Sequence, residues 1–174
     1  EFTAAGAAGV INLSVGVSPT AALTAAINNA IANDVVIVAA AGNFRGNPDP
    51  DLAALSVEPL FPANYASLGA QNVLAVGATD SSNAIASFSH LAGDAIDFFV
   101  TAPGVDITST TNDGGTGQKS GTSMAAPVVA GAAAVLRQMF PSLSASEIVS
   151  LIATTAEDLG NVSADQLFGQ GLID

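Results

Sequence analysis

The densest reactive chemistry in the chain lies in Ser120-Gly-Thr-Ser-Met-Ala-Ala-Pro127, where a Gly-rich stretch runs into a small-residue apolar segment. The pattern predicts a loop entering a helix, with Ser123 at the entrance. The first N–H groups of a helix have no internal partners, and the helix dipole favours negative charge there. Gly121 permits close backbone approach. Pro127 has no N–H, so the helix cannot bond back to the carbonyl of Ser123. A hydroxyl in this place suits nucleophilic attack that generates an oxyanion. Taken alone, a serine here would ordinarily be a helix cap, so the reading rests on its neighbours. A second group is Ala39-Ala-Ala-Gly-Asn43, closing an apolar run. An amide at a rigid strand end can be a preorganised donor; the bland alternative is a turn asparagine.

The elements that must carry these groups are legible in the hydrophobic pattern. Val10-Ile-Asn-Leu-Ser-Val15 is rich in β-branched residues and is followed by Gly16, which predicts a strand leading into a loop. Ser18-Pro19 reads as an N-cap with proline at the first helical position, and Leu23, Ile27 and Ile31 make one apolar stripe on a helix ending near Asn33. Val35-Val-Ile-Val-Ala-Ala40 is continuously apolar, as in a strand buried on both faces. Residues 44–62 are rich in Pro, Asp and Gly and read as a long surface loop. Asn72-Val-Leu-Ala-Val-Gly77 and Phe98-Phe-Val-Thr101 are further strands, and the polar 108–120 stretch is loop or hairpin. A helix over 123–139 is apolar around its circumference and is expected to be buried on all sides. Ser144-Ala-Ser-Glu147 is a capping box that opens a last helix to about residue 156, and 169–174 closes the chain as a short edge segment. Strands alternating with helices predict an α/β fold with a predominantly parallel sheet and helices on both faces.

Composition narrows the function. The 174 residues suit one domain. The formal net charge is −12, and the only cations are Arg45, Lys119 and Arg137. Phosphate binding needs Lys and Arg, so nucleic acid is excluded as a partner, and an anionic membrane surface is equally unsuitable. No apolar run reaches bilayer length. The chain has no cysteine, hence no disulfide, thiol nucleophile or Cys-based zinc site.

The run Gly121-Thr-Ser-Met-Ala-Ala-Pro127 followed by Val128-Val-Ala-Gly-Ala-Ala-Ala134 closely resembles the nucleophile motif of the subtilisin-like serine proteases, the subtilases. Val128 departs from the histidine that many subtilisins carry there; the position is not a triad member. Asn72-Val-Leu-Ala-Val-Gly-Ala-Thr-Asp80, Ala86-Ser-Phe-Ser89, Ala102-Pro-Gly-Val105 and Phe168-Gly-Gln-Gly-Leu-Ile173 resemble subtilase segments in the family order. The resemblance implies serine endopeptidase chemistry by acyl transfer, with Ser123 as nucleophile and Asn43 as oxyanion donor. It implies that Leu13, Ser14, Val15 and Gly16 bind substrate backbone and form one wall of the specificity pocket. Ala39, Ala40, Ala41 and Gly42 form the other wall, and Phe61-Pro-Ala63 the base. Strand addition would be the binding mode, and a polypeptide the substrate. It implies no organic cofactor. Some relatives hold a weak cation near segments matching 63–65 and Asp97. The negative charge would suit Ca²⁺ there, but a solvated Asp97 is the favoured reading.

The family order of the triad is Asp, His, Ser, and neither an Asp-Thr-Gly-type nor a His-Gly-Thr-type motif occurs here. The one histidine, His90, falls by resemblance in a loop away from the triad and is expected to be exposed and solvated. Without a base, the Ser123 hydroxyl is a poor nucleophile. The expectation is that 1–174 is the C-terminal portion of one subtilisin-like catalytic domain of a secreted protein, lacking its N-terminal strands and inactive alone. An open sheet edge would then pair with the absent segment or with a second copy. The alternative is a catalytically inactive, peptide-binding subtilase-like module. A hydrolase of another type is disfavoured, since the Gly-x-Ser-x-Gly elbow is absent.

Overall fold

The structure, a computed structural model, describes residues 9–174. Four parallel strands form the central sheet in the order β1 (Val10–Leu13), β2 (Val36–Ala40), β3 (Val73–Thr79) and β4 (Phe99–Pro103). The register sets Ile11 beside Ile37, Ile37 beside Val73, and Ala75 beside Phe99. All residues of β2 and β3 are buried. That is the burial their unbroken apolar sequences require, because alternate side chains enter opposite layers.

Helices cover both faces. Val36, Val38, Ala40, Leu74, Val76, Val100 and Ala102 pack in one core with α3 (Thr122–Met139) and α4 (Ala145–Thr155). Ile37 and Val73 pack on the other side with Leu23, Ile27 and Ile31 of α1 (Ala21–Ala32). Farther along that side, Ala39, Ala41, Ala75 and Phe99 meet Ala63, Ala66, Ala92 and Ala95. The small side chains Ala125, Ala126 and Ala133 let α3 lie close to the sheet. A two-stranded antiparallel hairpin, β5 (Ile107–Thr110) and β6 (Thr116–Lys119), leads into α3.

Arg137, 6 % exposed at its side chain, ties the helical layer together. It donates to the carbonyl of Leu143 at 2.7 Å and to both the carbonyl and the carboxylate of Asp34, the latter at 3.1 Å. The other carboxylate oxygen of Asp34 accepts the N–H of Ala145 at 2.7 Å, at the start of α4. One ion pair therefore fixes the turn after α1 against both α3 and α4. The outer edge of β4 is covered by the chain end: Thr101 donates to Gly171 at 2.7 Å, and Ile173 donates to Thr101 at 2.9 Å. The outer edge of β1 carries no strand among the described residues.

Several local expectations need correction. The N-cap of α1 is Thr20, whose hydroxyl accepts the N–H of Leu23 at 3.2 Å, so Ser18-Pro19 precede the helix. Residues 44–62 are not one plain loop: they hold a short helix, α2 (Pro50–Ala54), capped by Asp49, and a following 3₁₀ turn, Leu55–Val57. The helix α3 is not buried all round. Ala125, Ala126, Val129, Ala133 and Arg137 face the core, whereas Val128, Val135 and Met139 are exposed, because only one helix face can meet the sheet. The capping box at Ser144 and Glu147 is present.

Candidate active site

The C-terminal ends of β1 and β2 and the N-terminus of α3 converge. A β-strand followed by a loop exposes its end here, and a helix presents its free N–H groups to the same place. The N-cap of α3 is Gly121, at φ 156° and ψ 159°, a conformation that residues with a Cβ avoid. Ser123 is the second residue of the helix and therefore not a cap. It is half-buried.

Ser123 and Ser14 bond reciprocally. The Ser123 hydroxyl donates to the carbonyl of Ser14 at 3.2 Å, and the Ser14 hydroxyl donates to the carbonyl of Ser123 at 3.0 Å. Pro127 supplies the reason for the second bond: the carbonyl it cannot bond within the helix is taken by Ser14. Asn12 in turn donates to the Ser14 hydroxyl at 3.0 Å. The nucleophile candidate is thus pinned to the end of β1.

Asn43 is brought to the same helix start by Thr122. Asn43 Oδ1 accepts the backbone N–H of Thr122 at 2.9 Å and its hydroxyl at 3.1 Å. The Thr122 hydroxyl also accepts the buried N–H of Gly42 at 3.2 Å. With Oδ1 occupied twice, the amide has one orientation, and its Nδ2 is left as the donor beside Gly121. A Cβ at Gly121 would lie 3.5 Å from that nitrogen. Thr122 is the residue of this candidate site that the sequence reading missed. Its one signal in the sequence was its place between Gly121 and Ser123; the structure adds that it is fully buried, so its hydroxyl must find partners.

The residues expected to bind substrate divide by exposure. Leu13 and Ser14 are half-buried, while Val15 is 48 % exposed and Gly16 is exposed. Ala39, Ala40 and Ala41 are buried with side chains in the two cores, so only backbone is available from them. The carbonyl of Ala41 already accepts Leu60 N–H at 2.8 Å. Leu60 also lies against Gly16, where a Cβ would stand 3.2 Å from its methyl. A cleft of about 410 Å³ opens beside these residues, lined by Gly16, Val17, Phe44, Leu55, Leu60 and Phe61 among others.

His90 is not an exposed loop imidazole. It is 0 % exposed. Its ring Nδ1 lies 2.8 Å from the carbonyl of Glu58, its ring Nε2 is buried without a partner, and its backbone N–H donates to the carbonyl of Gly42 at 3.0 Å. The sequence Ser87-Phe-Ser-His90 is polar and turn-like, but Phe44 and the 58–60 segment fold over it; the Phe44 ring centre is 5.7 Å away. Burial lowers its pKa from the ordinary 6.5, with the bond to Glu58 opposing more weakly. Among the described residues, no imidazole or carboxylate bonds the Ser123 hydroxyl. No three His, Asp or Glu side chains gather to hold a metal among them. Asp97 is exposed, and Asn64 Oδ1 is buried without a partner.

A parallel α/β sheet with a serine at the N-terminus of a buried-face helix and an asparagine at the adjoining strand end is the layout of a subtilisin-like fold. The Subtilase family model matches residues 2–171, and the chain belongs to that family. Subtilisin BL from Lederbergia lenta is 42 % identical over 165 residues, covering 94 % of this chain and 54 % of its own length. An alkaline protease from Shouchella clausii is also 42 % identical, with 38 % of its length covered. The chain thus spans about half or less of these relatives. Among solved structures, the patellamide maturation protease PatA superposes with a TM-score of 0.77 at 27 % identity, covering 95 % of this chain and 59 % of that one. Among the described residues, no helix is long and apolar enough to cross a membrane.

Proposed function

We propose that this chain supplies the nucleophile and the oxyanion donors of a secreted subtilisin-like serine endopeptidase, and that 1–174 forms the C-terminal portion of one catalytic domain. The observation that carries this is the pair of hydrogen bonds from the Thr122 N–H and hydroxyl to Asn43 Oδ1, which turns the Asn43 amide donor toward the helix start that holds Ser123. In the proposed reaction, Ser123 attacks the scissile carbonyl. Asn43 Nδ2 and the Ser123 N–H stabilise the oxyanion, and water releases the acyl-enzyme. Leu13, Ser14, Val15 and Gly16, with the backbone of Ala39 to Gly42, hold an extended polypeptide by strand addition. The mechanism needs no organic cofactor. Were a cation such as Ca²⁺ to bind, Asn64 with its free buried oxygen is the place to look.

A base must come from outside the described residues. We infer that it arrives with a segment carrying Asp and His, which docks on the open edge of β1; a second copy is the other candidate for that edge. The test is labelling by a fluorophosphonate, read by intact mass, with Ser123→Ala as control. The expected result is negligible labelling of the chain alone and fast labelling of Ser123 once the complementing segment of a subtilase is added. Fast labelling of the chain alone would show that a base lies within it. The burial of the one histidine favours a second reading, a peptide-binding module without cleavage. Absence of labelling after complementation, with peptide still bound, would support that module.

A further inference from the structure

We propose that His90 is a positioning residue for the oxyanion donor: its buried ring is the floor on which the Gly42–Asn43 turn rests. The proposal depends on reading Asn43 as that donor. Gly42 has φ 126°, and a Cβ placed on it would lie 2.9 Å from Cγ, Nδ1 and Cδ2 of the imidazole. The ring therefore stacks directly against the backbone of Gly42, with no side chain between them. The backbone N–H of His90 also holds the carbonyl of Gly42 at 3.0 Å. Above the turn, the N–H of Gly42 is held by Thr122. The residue before Asn43 is thus clamped from both sides, by the α3 start and by His90. Any shift of the ring passes to Asn43 through one peptide unit.

The ring itself is fixed from its other edge by the carbonyl of Glu58. Three charged residues, Glu58, Asp94 and Arg45, lie on the segments packed around it, and no carboxylate or guanidinium of theirs bonds the ring. The Glu58 carboxylate accepts from Asp94 N–H at 2.9 Å and Ser67 at 3.3 Å. Asp94 is exposed, and the Arg45 guanidinium, next to Phe44, has a buried Nη1 without a partner. The Nε2 of His90 meets no acceptor. A proton added there would place an uncompensated charge under Gly42, and burial of an unpaired charge forces either local movement or deprotonation. The turn is held as described only with the ring neutral.

The test is ¹⁵N–¹H spectroscopy of the whole chain between pH 8 and the acid unfolding limit. The ring nitrogens and the Asn43 side-chain amide are followed together, in the wild type and in His90→Phe, which keeps a ring but has no proton to gain. The expected result is a neutral ring with its proton on Nδ1 at pH 8, and Asn43 amide signals that shift in step with ring protonation in the wild type alone. Ring protonation with stationary Asn43 signals would overturn the proposal. So would equal movement in His90→Phe. If the chain unfolds before the ring titrates, His90→Asn decides at pH 8: displaced Asn43 signals support the role, and coincident ones refute it. None of these readouts needs catalysis. A chain that fails to label after complementation while Asn43 follows His90 would sink the protease reading and leave the coupling standing.

Discussion

Replacement of Thr122 by valine tests the site most directly, because it removes one oxygen and keeps the shape. That oxygen accepts the buried N–H of Gly42 at 3.2 Å and donates to Asn43 Oδ1 at 3.1 Å. Loss of the first bond leaves a buried backbone donor unpaired, at a cost of about 1–3 kcal/mol. Loss of the second matters less to stability: Asn43 is exposed, so water can take the place of the hydroxyl, and Thr122 N–H stays on Oδ1 at 2.9 Å. Burial of an added methyl at a fully enclosed position returns part of the loss, up to about 1 kcal/mol. The net expectation is about 1–2 kcal/mol of destabilisation, read as the shift in urea midpoint at constant m. The functional effect has a separate ceiling. Complete loss of one oxyanion donor costs about 10²–10³ in rate, a range measured on a subtilisin and thus on a relative of this chain. Thr122→Val keeps one of the two bonds that orient Asn43, so labelling of the complemented protein should fall by less than that, about tenfold. A stability change below about 0.5 kcal/mol together with an unchanged labelling rate would refute the claim that Thr122 orients the turn.

Gly42→Ala should destabilise by about 2–4 kcal/mol, since the new Cβ meets the His90 ring at 2.9 Å and the residue sits at φ 126°. In the double variant with His90→Ala the steric part should vanish, giving a total well below the sum of the single changes in a denaturation cycle. Arg137→Met should cost about 2–3 kcal/mol by the same measurement, because the carbonyls of Leu143 and Asp34 lose their donor and Asp34, half exposed, recovers only partly through water. Stability should also depend on His90 in acid. Its folded pKa lies below 6.5, so the unfolded chain binds the proton more readily. That contribution is complete above about pH 6.5 and is lost as pH falls from there through the lower folded value. His90→Phe should flatten the urea midpoint over that window, and an unchanged slope would count against the buried neutral ring.

Periodicity and local chemistry made much of this protein legible without coordinates. The apolar runs at Val35–Ala40 and Asn72–Gly77 read as strands covered on both sides, and the sheet buries β2 and β3 so. The capping box at Ser144 is a four-residue interaction and needed nothing distant to be read. Ser123 and Asn43 stood out because the motifs around them resemble those of the subtilases, each alone reading as a cap or a turn residue, and the structure brings both to the start of α3. Pro127 announced a carbonyl without a helical partner, but a proline does not say what will satisfy it. The partner of the Ser123 carbonyl is Ser14, 109 positions away, and only the packing of the end of β1 against the start of α3 could name it. Burial was the quantity least visible in the sequence. His90 lies in a polar, turn-like stretch and still becomes fully enclosed, because Phe44 and the segment around Glu58 close over it. The faces of α3 were hidden for the opposite reason: apolar residues all round leave no periodic signal, so the position of the sheet alone decided which side was core. Thr122 joins Gly42 to Asn43 across 79 and 80 residues of chain, and contacts of that range exist only once the strands and helices have packed.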